Sequence, residues 1–166
     1  MASSTSPTII REAVEVDIPL IYDFIHELAT YEKLAHEHVG THDDLRDTLF
    51  ENKYAHVIIA SVDGQDVGFA LYFFNYSTFL SRPGLYLEDL YVRPTVRGRG
   101  VGTTLMKHLA NLALAKGCGR MEWSAINWNT PAINFYVGKT VGATCMKEWD
   151  IYRLQGDSLD RFVQQE

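Results

Sequence analysis

Three consecutive β-rich runs place the strongest restriction on how this chain can fold. The runs cover residues 54–62, 67–76 and 85–92. The Asp63-Gly64 pair between the first two is a typical hairpin turn signal. From Val101 onward the apolar residues recur at helical spacing instead. The sequence therefore predicts an antiparallel meander of three strands that leads directly into a helix.

The segments on either side of the meander alternate between strand and helix patterns. The predicted strands cover residues 8–14, 121–126 and 149–154, and the predicted helices begin at Asp17, Thr41, Val101 and Asn129. This order predicts an α/β (α+β) fold with a mixed, mostly antiparallel central sheet of six to seven strands. About four helices flank the sheet, which differs from a doubly wound sheet.

The length and termini of the chain favour one domain. A chain of 166 residues with 46% apolar content supports one sizeable core. We expect a disordered tail at residues 1–7 and a single domain at residues 8–166. The tail lacks the basic and apolar regions of a signal peptide, and no apolar run reaches the roughly 18 residues of a membrane span. A cytoplasmic location is expected.

The net charge of the chain argues against a nucleic-acid partner, and the spacing of its cysteines and histidines argues against a metal site. The net charge is -6, from 15 basic and 21 acidic side chains, and this excess would repel a nucleic-acid backbone. Cys118 and Cys145 form no CxxC pattern. Histidines 36, 38 and 42 share no helical face. We therefore expect no nucleic-acid partner and no metal.

A glycine-rich run at residues 97–102, RGRGVG, lies between a predicted strand and a predicted helix. Glycines let backbone N–H groups approach an anion closely, and the helix dipole adds positive charge there. Arg97 and Arg99 add charge-assisted donors. A P-loop would need GK[ST], and a dinucleotide fingerprint would need Gly or Ala where Thr103 stands. The run predicts a pyrophosphate site, with a surface turn as the alternative.

Residues 97–102 resemble the pyrophosphate loop of the GNAT superfamily of N-acetyltransferases. Residues 27–32, 86–89 and 128–136 resemble segments of its spermidine/spermine (diamine) and thialysine acetyltransferases, and the resemblance covers nearly the whole chain from Thr8. It implies the GNAT fold, acetyl-CoA as acyl donor, no metal, and a small cationic amine as acceptor. The acceptor would be a diamine, a polyamine or a diamino acid. By analogy it also implies a homodimer.

The resemblance further implies two catalytic residues. Glu88 would be the general base and Tyr136 the general acid for the departing thiolate. Because side chains alternate along a strand, Glu88 and Asp89 are expected to point to opposite faces, so that Asp89 is structural or at the substrate edge. An alkylammonium with a pKa near ~10.4 needs such a base at neutral pH.

The resemblance also assigns residues to each substrate. Those implied for acetyl-CoA are Leu90, Tyr91, Val92, Arg97, Gly98, Arg99, Gly100, Val101, Gly102, Thr103, Asn129, Thr130, Pro131 and Ala132. Those implied for the amine are Tyr31, Glu32, Ser77, Phe79, Glu88, Asp89 and Asp150. The Ser77-Thr78 pair favours a short diamine or a diamino acid over spermine. A protein or peptide N-acetyltransferase and a non-catalytic acyl-CoA-binding domain stay open as alternatives.

Overall fold

The computed structural model describes residues 6–165, so most of the predicted tail lies outside the described residues. Five strands form one sheet in the order β1-β2-β3-β4-β5. The strands are β1 (Ile9–Glu12), β2 (His56–Val62), β3 (Gln65–Ser77), β4 (Arg82–Val92) and β5 (Met121–Trp123). Neighbours from β1 to β4 pair antiparallel, whereas β5 runs parallel to β4. The predicted mixed, mostly antiparallel sheet is confirmed.

Helices cover both faces of the sheet; the first four begin at the predicted positions, whereas the fifth was not predicted. They are α1 (Ile18–Tyr31), α2 (His42–Leu45, continued by a π-helical turn at Arg46–Glu51), α3 (Val101–Ala115), α4 (Thr130–Val137) and α5 (Asp157–Val163). The hydroxyl of Thr41 accepts the Asp44 N–H at the start of α2. The Asn129 side chain accepts the Ala132 N–H at the start of α4.

Two apolar clusters hold the helices on the sheet. Ile58 faces the cluster under α3, and the next residue, Ile59, faces the cluster under α1, as strand alternation requires. Leu105 and Leu109 of α3 are fully buried in the first cluster. Phe24 of α1 stacks on Phe69 at 5.4 Å in the second. Burial on both faces fixes which side of each strand can reach a ligand.

The predicted number of strands is wrong, because the last predicted strand does not form among the described residues. Residues 149–154 have no regular structure, with Ile151 76% exposed and Tyr152 90% exposed. Alternating apolar residues predict a strand only where a neighbouring backbone is available, and here none pairs with them. The strand predicted at residues 121–126 also ends early, at Trp123.

The sheet opens into a wedge between β4 and β5. Pairing joins Leu85 to Met121 and ends where Leu87 meets Trp123. β4 then continues to Val92, and over this stretch it pairs with β3 on one edge and with none of the described residues on the other. A strand that loses a neighbour exposes backbone N–H and C=O groups on that side.

No helix among residues 6–165 is long and apolar enough to cross a membrane.

Candidate active site

A cavity of about 470 Å³ occupies the wedge between β4 and β5. This volume lies in the range of small-molecule sites. Its walls are residues 87–92 of β4, residues 123–126 at the end of β5 and just after it, the start of α3, one face of α4 and the end of α1. Because five elements converge on it, the cavity is formed by the fold rather than by one loop.

The glycine-rich run forms the end of the cavity at the N-terminus of α3. Gly98 and Gly100 have φ of +77° and +85°, and Gly100 is the N-cap of α3. A Cβ at either position would meet no heavy atom within 4 Å, so the space before the loop is open. The first N–H groups of a helix have no partner within it and attract an anion. This end of the cavity therefore fits a diphosphate.

The two arginines of the run have different surroundings. Arg97 donates from Nε to the Val92 carbonyl at 2.8 Å, and its guanidinium lies over the rings of Tyr31 and Tyr91 at 4.6 and 5.6 Å. Arg99 lies 3.6 Å from the Asp63 carboxylate and does not line the cavity. Among the described residues, Arg97 is the only Lys or Arg in the lining.

Three carboxylates also line the cavity: Glu32, Glu88 and Asp89. Burial raises the pKa of Glu32. Burial, followed by the charges of Glu88 and Glu32, raises the pKa of Asp89 to about 7. The charges of Glu88 and Glu32 therefore add to the proton affinity of Asp89, and the region around these carboxylates favours a cationic ligand.

The adjacent Glu88 and Asp89 lie on a β-bulge in β4. Leu71 of β3 pairs with Asp89, but the next residue, Tyr72, pairs with Leu87, so Glu88 has no partner on β3. The sequence predicted opposite faces for the two carboxylates from regular alternation. With the bulge, both line the same cavity. The prediction that the two side chains point to opposite faces is therefore wrong, because the bulge brings both into the site, whereas a place for Asp89 at the substrate edge agrees with this geometry.

Tyr136 of α4 also lines the cavity. Its ring contacts Trp123 and Phe135, with centroids 5.1 and 5.4 Å away. Burial, followed by the charges of Glu32 and Asp89, raises the pKa of Tyr136 to about 12. The hydroxyl is therefore protonated at neutral pH and able to donate.

Two contacts connect the end of α1 to α4 across the cavity. The Tyr31 hydroxyl donates to Asn129 Oδ1 at 3.3 Å. The Lys33 ammonium lies 5.0 Å from the centre of the Trp128 ring. Asn129 also caps α4, so the same amide positions both the helix and Tyr31.

The structure brings together most of the predicted site. Both predicted catalytic residues line the cavity, as do all predicted acetyl-CoA contacts except Arg99 and Thr130. Of the predicted amine contacts, Ser77, Phe79 and Asp150 do not line it. Ser77 is buried and accepts the Leu80 N–H at 3.3 Å, in the turn between β3 and β4. Phe79 in the same turn is 89% exposed, and Asp150 is exposed.

Several lining residues were not found from the sequence: Leu28, Leu87, Trp123, Ser124, Ala125, Ile126 and Phe135. The end of a parallel strand is where open α/β sheets bind ligands, so residues 123–126 carried a usable signal. Away from the cavity, His38 Nδ1 lies 3.4 Å from His26 Nδ1. No group of three or more His, Cys, Asp or Glu at residues 6–165 is placed to hold a metal.

Comparisons with known proteins agree with this geometry. The model of the acetyltransferase (GNAT) family matches residues 22–142. The thialysine N-epsilon-acetyltransferase of Mus musculus is 39% identical, over 92% of this chain and 95% of the relative. The L-ornithine N5-acetyltransferase of Arabidopsis thaliana is 32% identical, over 90% and 85% of the two chains. A solved Vibrio cholerae integron cassette protein matches with a TM-score of 0.78 at 30% identity, covering 95% and 98%.

Proposed function

The chain belongs to the GNAT family of acetyl-CoA-dependent N-acetyltransferases, and from this premise we propose that its acceptor is a primary amine of a small diamine or diamino acid. The observation that carries the proposal is the polarity of the cavity. The N-terminus of α3, which can bind an anion, and three carboxylates line the same cavity, and we assign them to its two ends. Thialysine and ornithine, named for two relatives, are both diamino acids.

The α3 end would hold the donor. The backbone amides of residues 98–103 and the guanidinium of Arg97 would hold the diphosphate, and residues 129–132 would line the channel for the pantetheine arm. Acetyl-CoA supplies an activated acetyl thioester when bound. Alternate backbone N–H groups within residues 90–92 face the wedge where β4 has lost its neighbour, and would polarise the acetyl carbonyl.

The acidic end would bind the acceptor and adjust its protonation. At pH 7 about one alkylamine molecule in ~2,500 is neutral, which adds about 4 to 5 kcal/mol to the barrier. A carboxylate that takes the ammonium proton removes this obstacle, and the adjacent Glu88 and Asp89 are both in place. The remaining carboxylates would bind the second cation. Tyr136 would donate its proton to the departing sulfur.

Release of free coenzyme A thiol measures the proposed activity directly. The purified protein would be supplied with acetyl-CoA and with thialysine, ornithine, lysine, 1,4-diaminobutane or spermidine, each in turn. We expect turnover of diamines and diamino acids. Butylamine is the matched control for 1,4-diaminobutane, because it keeps the chain length but lacks the second cation. We expect kcat/KM for butylamine to be lower by about tenfold or more.

Peptides that carry a lysine or a free N-terminus belong in the same assay. Turnover of peptides without turnover of any small amine would replace the proposal by protein N-acetylation. Acetyl-CoA binding without turnover of any acceptor would replace it by a non-catalytic acyl-CoA-binding role. Equal kcat/KM for butylamine and 1,4-diaminobutane would contradict the role given to the acidic end.

We also propose that the chain forms a homodimer. Apolar side chains exposed on residues 149–163, including Trp149, Ile151 and Phe162, support this proposal because such surfaces are usually covered. Light scattering coupled to size exclusion tests it: a mass near twice 18.8 kDa is expected, and a mass near 18.8 kDa contradicts it.

A further inference from the structure

We infer that Lys33 binds the α-carboxylate of the acceptor, so that the preferred acceptor is a diamino acid rather than a diamine. This inference rests on the proposed acetylation of a small amine and specifies which class of amine the same site selects. Three observations support it: the backbone conformation of Lys33, its contact with Trp128 at the rim of the cavity, and the charges of the residues that line the cavity.

Lys33 occupies a backbone position that glycine usually takes. It has φ of +63° and directly follows Glu32, the C-cap of α1. The Leu34 N–H donates to the Ala29 carbonyl at 2.7 Å, and the next bond inward joins the Lys33 N–H to the Thr30 carbonyl at 3.1 Å. These two bonds form the Schellman pattern that ends many helices. A side chain at this φ costs free energy that glycine avoids, so the turn itself does not require a lysine.

The Lys33 side chain lies over the Trp128 ring at the rim of the cavity. Its ammonium is 5.0 Å from the centre of that ring. The residues next to this pair in the chain, Glu32 and Asn129, both line the cavity. The Trp128 backbone is fixed just before α4, because its carbonyl accepts the Thr130 N–H at 2.8 Å. The ring contact restrains a long, flexible side chain and leaves ammonium N–H donors for a ligand.

The Lys33 ammonium is available to an anion, whereas the arginines near the cavity are engaged. Lys33 forms no ion pair with any carboxylate of residues 6–165. Arg97 donates to the Val92 carbonyl and is assigned to the diphosphate. Arg93, which precedes the glycine-rich run, donates to the Glu27 carboxylate at 2.8 Å. A ligand anion beside the acidic part of the lining therefore finds its cation in Lys33.

The charges of the lining determine which acceptor needs such a cation. Glu32, Glu88 and Asp89 suit the two amino groups that a diamine and a diamino acid share. A diamino acid carries one further group, a carboxylate, which these three side chains would repel. With the distal amine at the thioester, the α-carbon of the acceptor lies towards the rim. Lys33 offsets the repulsion there and forms charge-assisted hydrogen bonds with the carboxylate.

The test compares kcat/KM for ornithine with kcat/KM for 1,4-diaminobutane, which lacks the carboxylate but is otherwise the same molecule. The wild type should favour ornithine. Lys33→Met keeps an unbranched side chain on Trp128 but removes the charge, and should lower the ratio of the two values by about tenfold. Lys33→Arg should keep the ratio within about threefold. Lys53→Met is the matched control, because Lys53 is also exposed and has φ of +56°, and it should behave as wild type.

Ornithinamide separates recognition of the carboxylate from a structural role of Lys33. A neutral amide replaces the carboxylate in this acceptor, so the preference for ornithine over ornithinamide should be about tenfold smaller in Lys33→Met than in the wild type. A structural role would instead lower kcat/KM for all three acceptors by the same factor, and that result would overturn the inference. A wild type that favours 1,4-diaminobutane over ornithine would also overturn it.

Two further measurements keep the outcome unambiguous. Lys33→Gly decides the question if Lys33→Met does not fold, because glycine suits φ of +63° and the variant should resist urea at least as well as the wild type. It should show the same lowered ratio, and an unchanged ratio overturns the inference. Wild-type protein that binds acetyl-CoA in calorimetry but acetylates no small amine would defeat the proposed function itself, before any variant is compared.

Discussion

At the α3 end of the cavity the binding groups belong to the backbone, whereas at the α1 end they belong to side chains. Gly98 and Gly100 present amide N–H groups whose directions follow from φ and from the start of one helix. Glu32, Asp89 and Tyr136 come from three different elements, and the charge of Glu32 raises the pKa of both Asp89 and Tyr136, after burial itself. The backbone end is therefore a local structure, and the side-chain end is a product of the whole fold.

The largest expected effect tests the side-chain end. Tyr136→Phe removes the proposed proton donor but leaves the ring that packs on Trp123. We expect kcat to fall by ~10² to 10³-fold while the calorimetric affinity for acetyl-CoA stays within about twofold. Tyr152→Phe, which alters a 90% exposed tyrosine, is the control and should leave both values unchanged. An equal loss of kcat in both variants would remove Tyr136 from the mechanism.

The next effect tests the backbone end. Gly100→Ala places a Cβ on a residue with φ of +85° and in the space proposed for the diphosphate. We expect acetyl-CoA affinity to fall by about 10 to 100-fold, together with about 1 to 2 kcal/mol of stability. Gly64→Ala has a similar φ of +75° in the β2–β3 hairpin and should lose stability without losing affinity. Equal affinity loss in both would show general strain rather than a binding role.

The dependence of stability on pH tests whether the Asp89 carboxyl is as buried in solution as it is in the structure. Burial and neighbouring carboxylates raise the pKa of the Asp89 carboxyl from 3.8 to about 7 in the folded state. Between these two pH values the folded protein keeps the proton, whereas the unfolded chain loses it. This group therefore stabilises the fold fully below pH 3.8 and loses that contribution as the pH rises through about 7.

The measurement is urea unfolding of wild type and Asp89→Asn at several pH values. The full pKa shift would correspond to about 4 kcal/mol, and we expect about 2 kcal/mol because the carboxylate meets water in the cavity. The free energy of unfolding of the wild type should therefore fall relative to Asp89→Asn between pH 4 and 8. Parallel curves for the two proteins would place Asp89 in ordinary solvent.

The smallest expected effect concerns the acceptor's second charge. Glu32→Gln removes one carboxylate at the end of α1 without changing its shape. We expect KM for 1,4-diaminobutane to rise by about three- to tenfold, while KM for acetyl-CoA does not change. Glu37→Gln on the exposed loop after α1 is the control. A rise in KM for acetyl-CoA would mean that the two ends of the cavity are not separate.

The same difference explains how far the site could be predicted from the sequence. Residues 97–102 are contiguous, and both their glycines and the helix that follows them can be recognised in the sequence. The location of the proposed anion site could therefore be predicted from this one segment. The faces of Glu88 and Asp89 depend on which residue of β4 lies opposite Tyr72, and the bulge has no glycine or other local signal. The strand predicted at residues 149–154 failed for a related reason, since apolar alternation does not supply a pairing partner.

The short pairing of β5 with β4 has a consequence for how the protein responds to its donor. Beyond Leu87, alternate amides of β4 point away from β3 into the wedge, where the described chain offers no neighbouring strand. An extended ligand that bonds to these amides completes the sheet as an added strand would. Deuterium uptake at those amides of residues 88–92 that face the wedge should thus be rapid in the free protein and slow once that ligand is bound, while β2 and β3 change little.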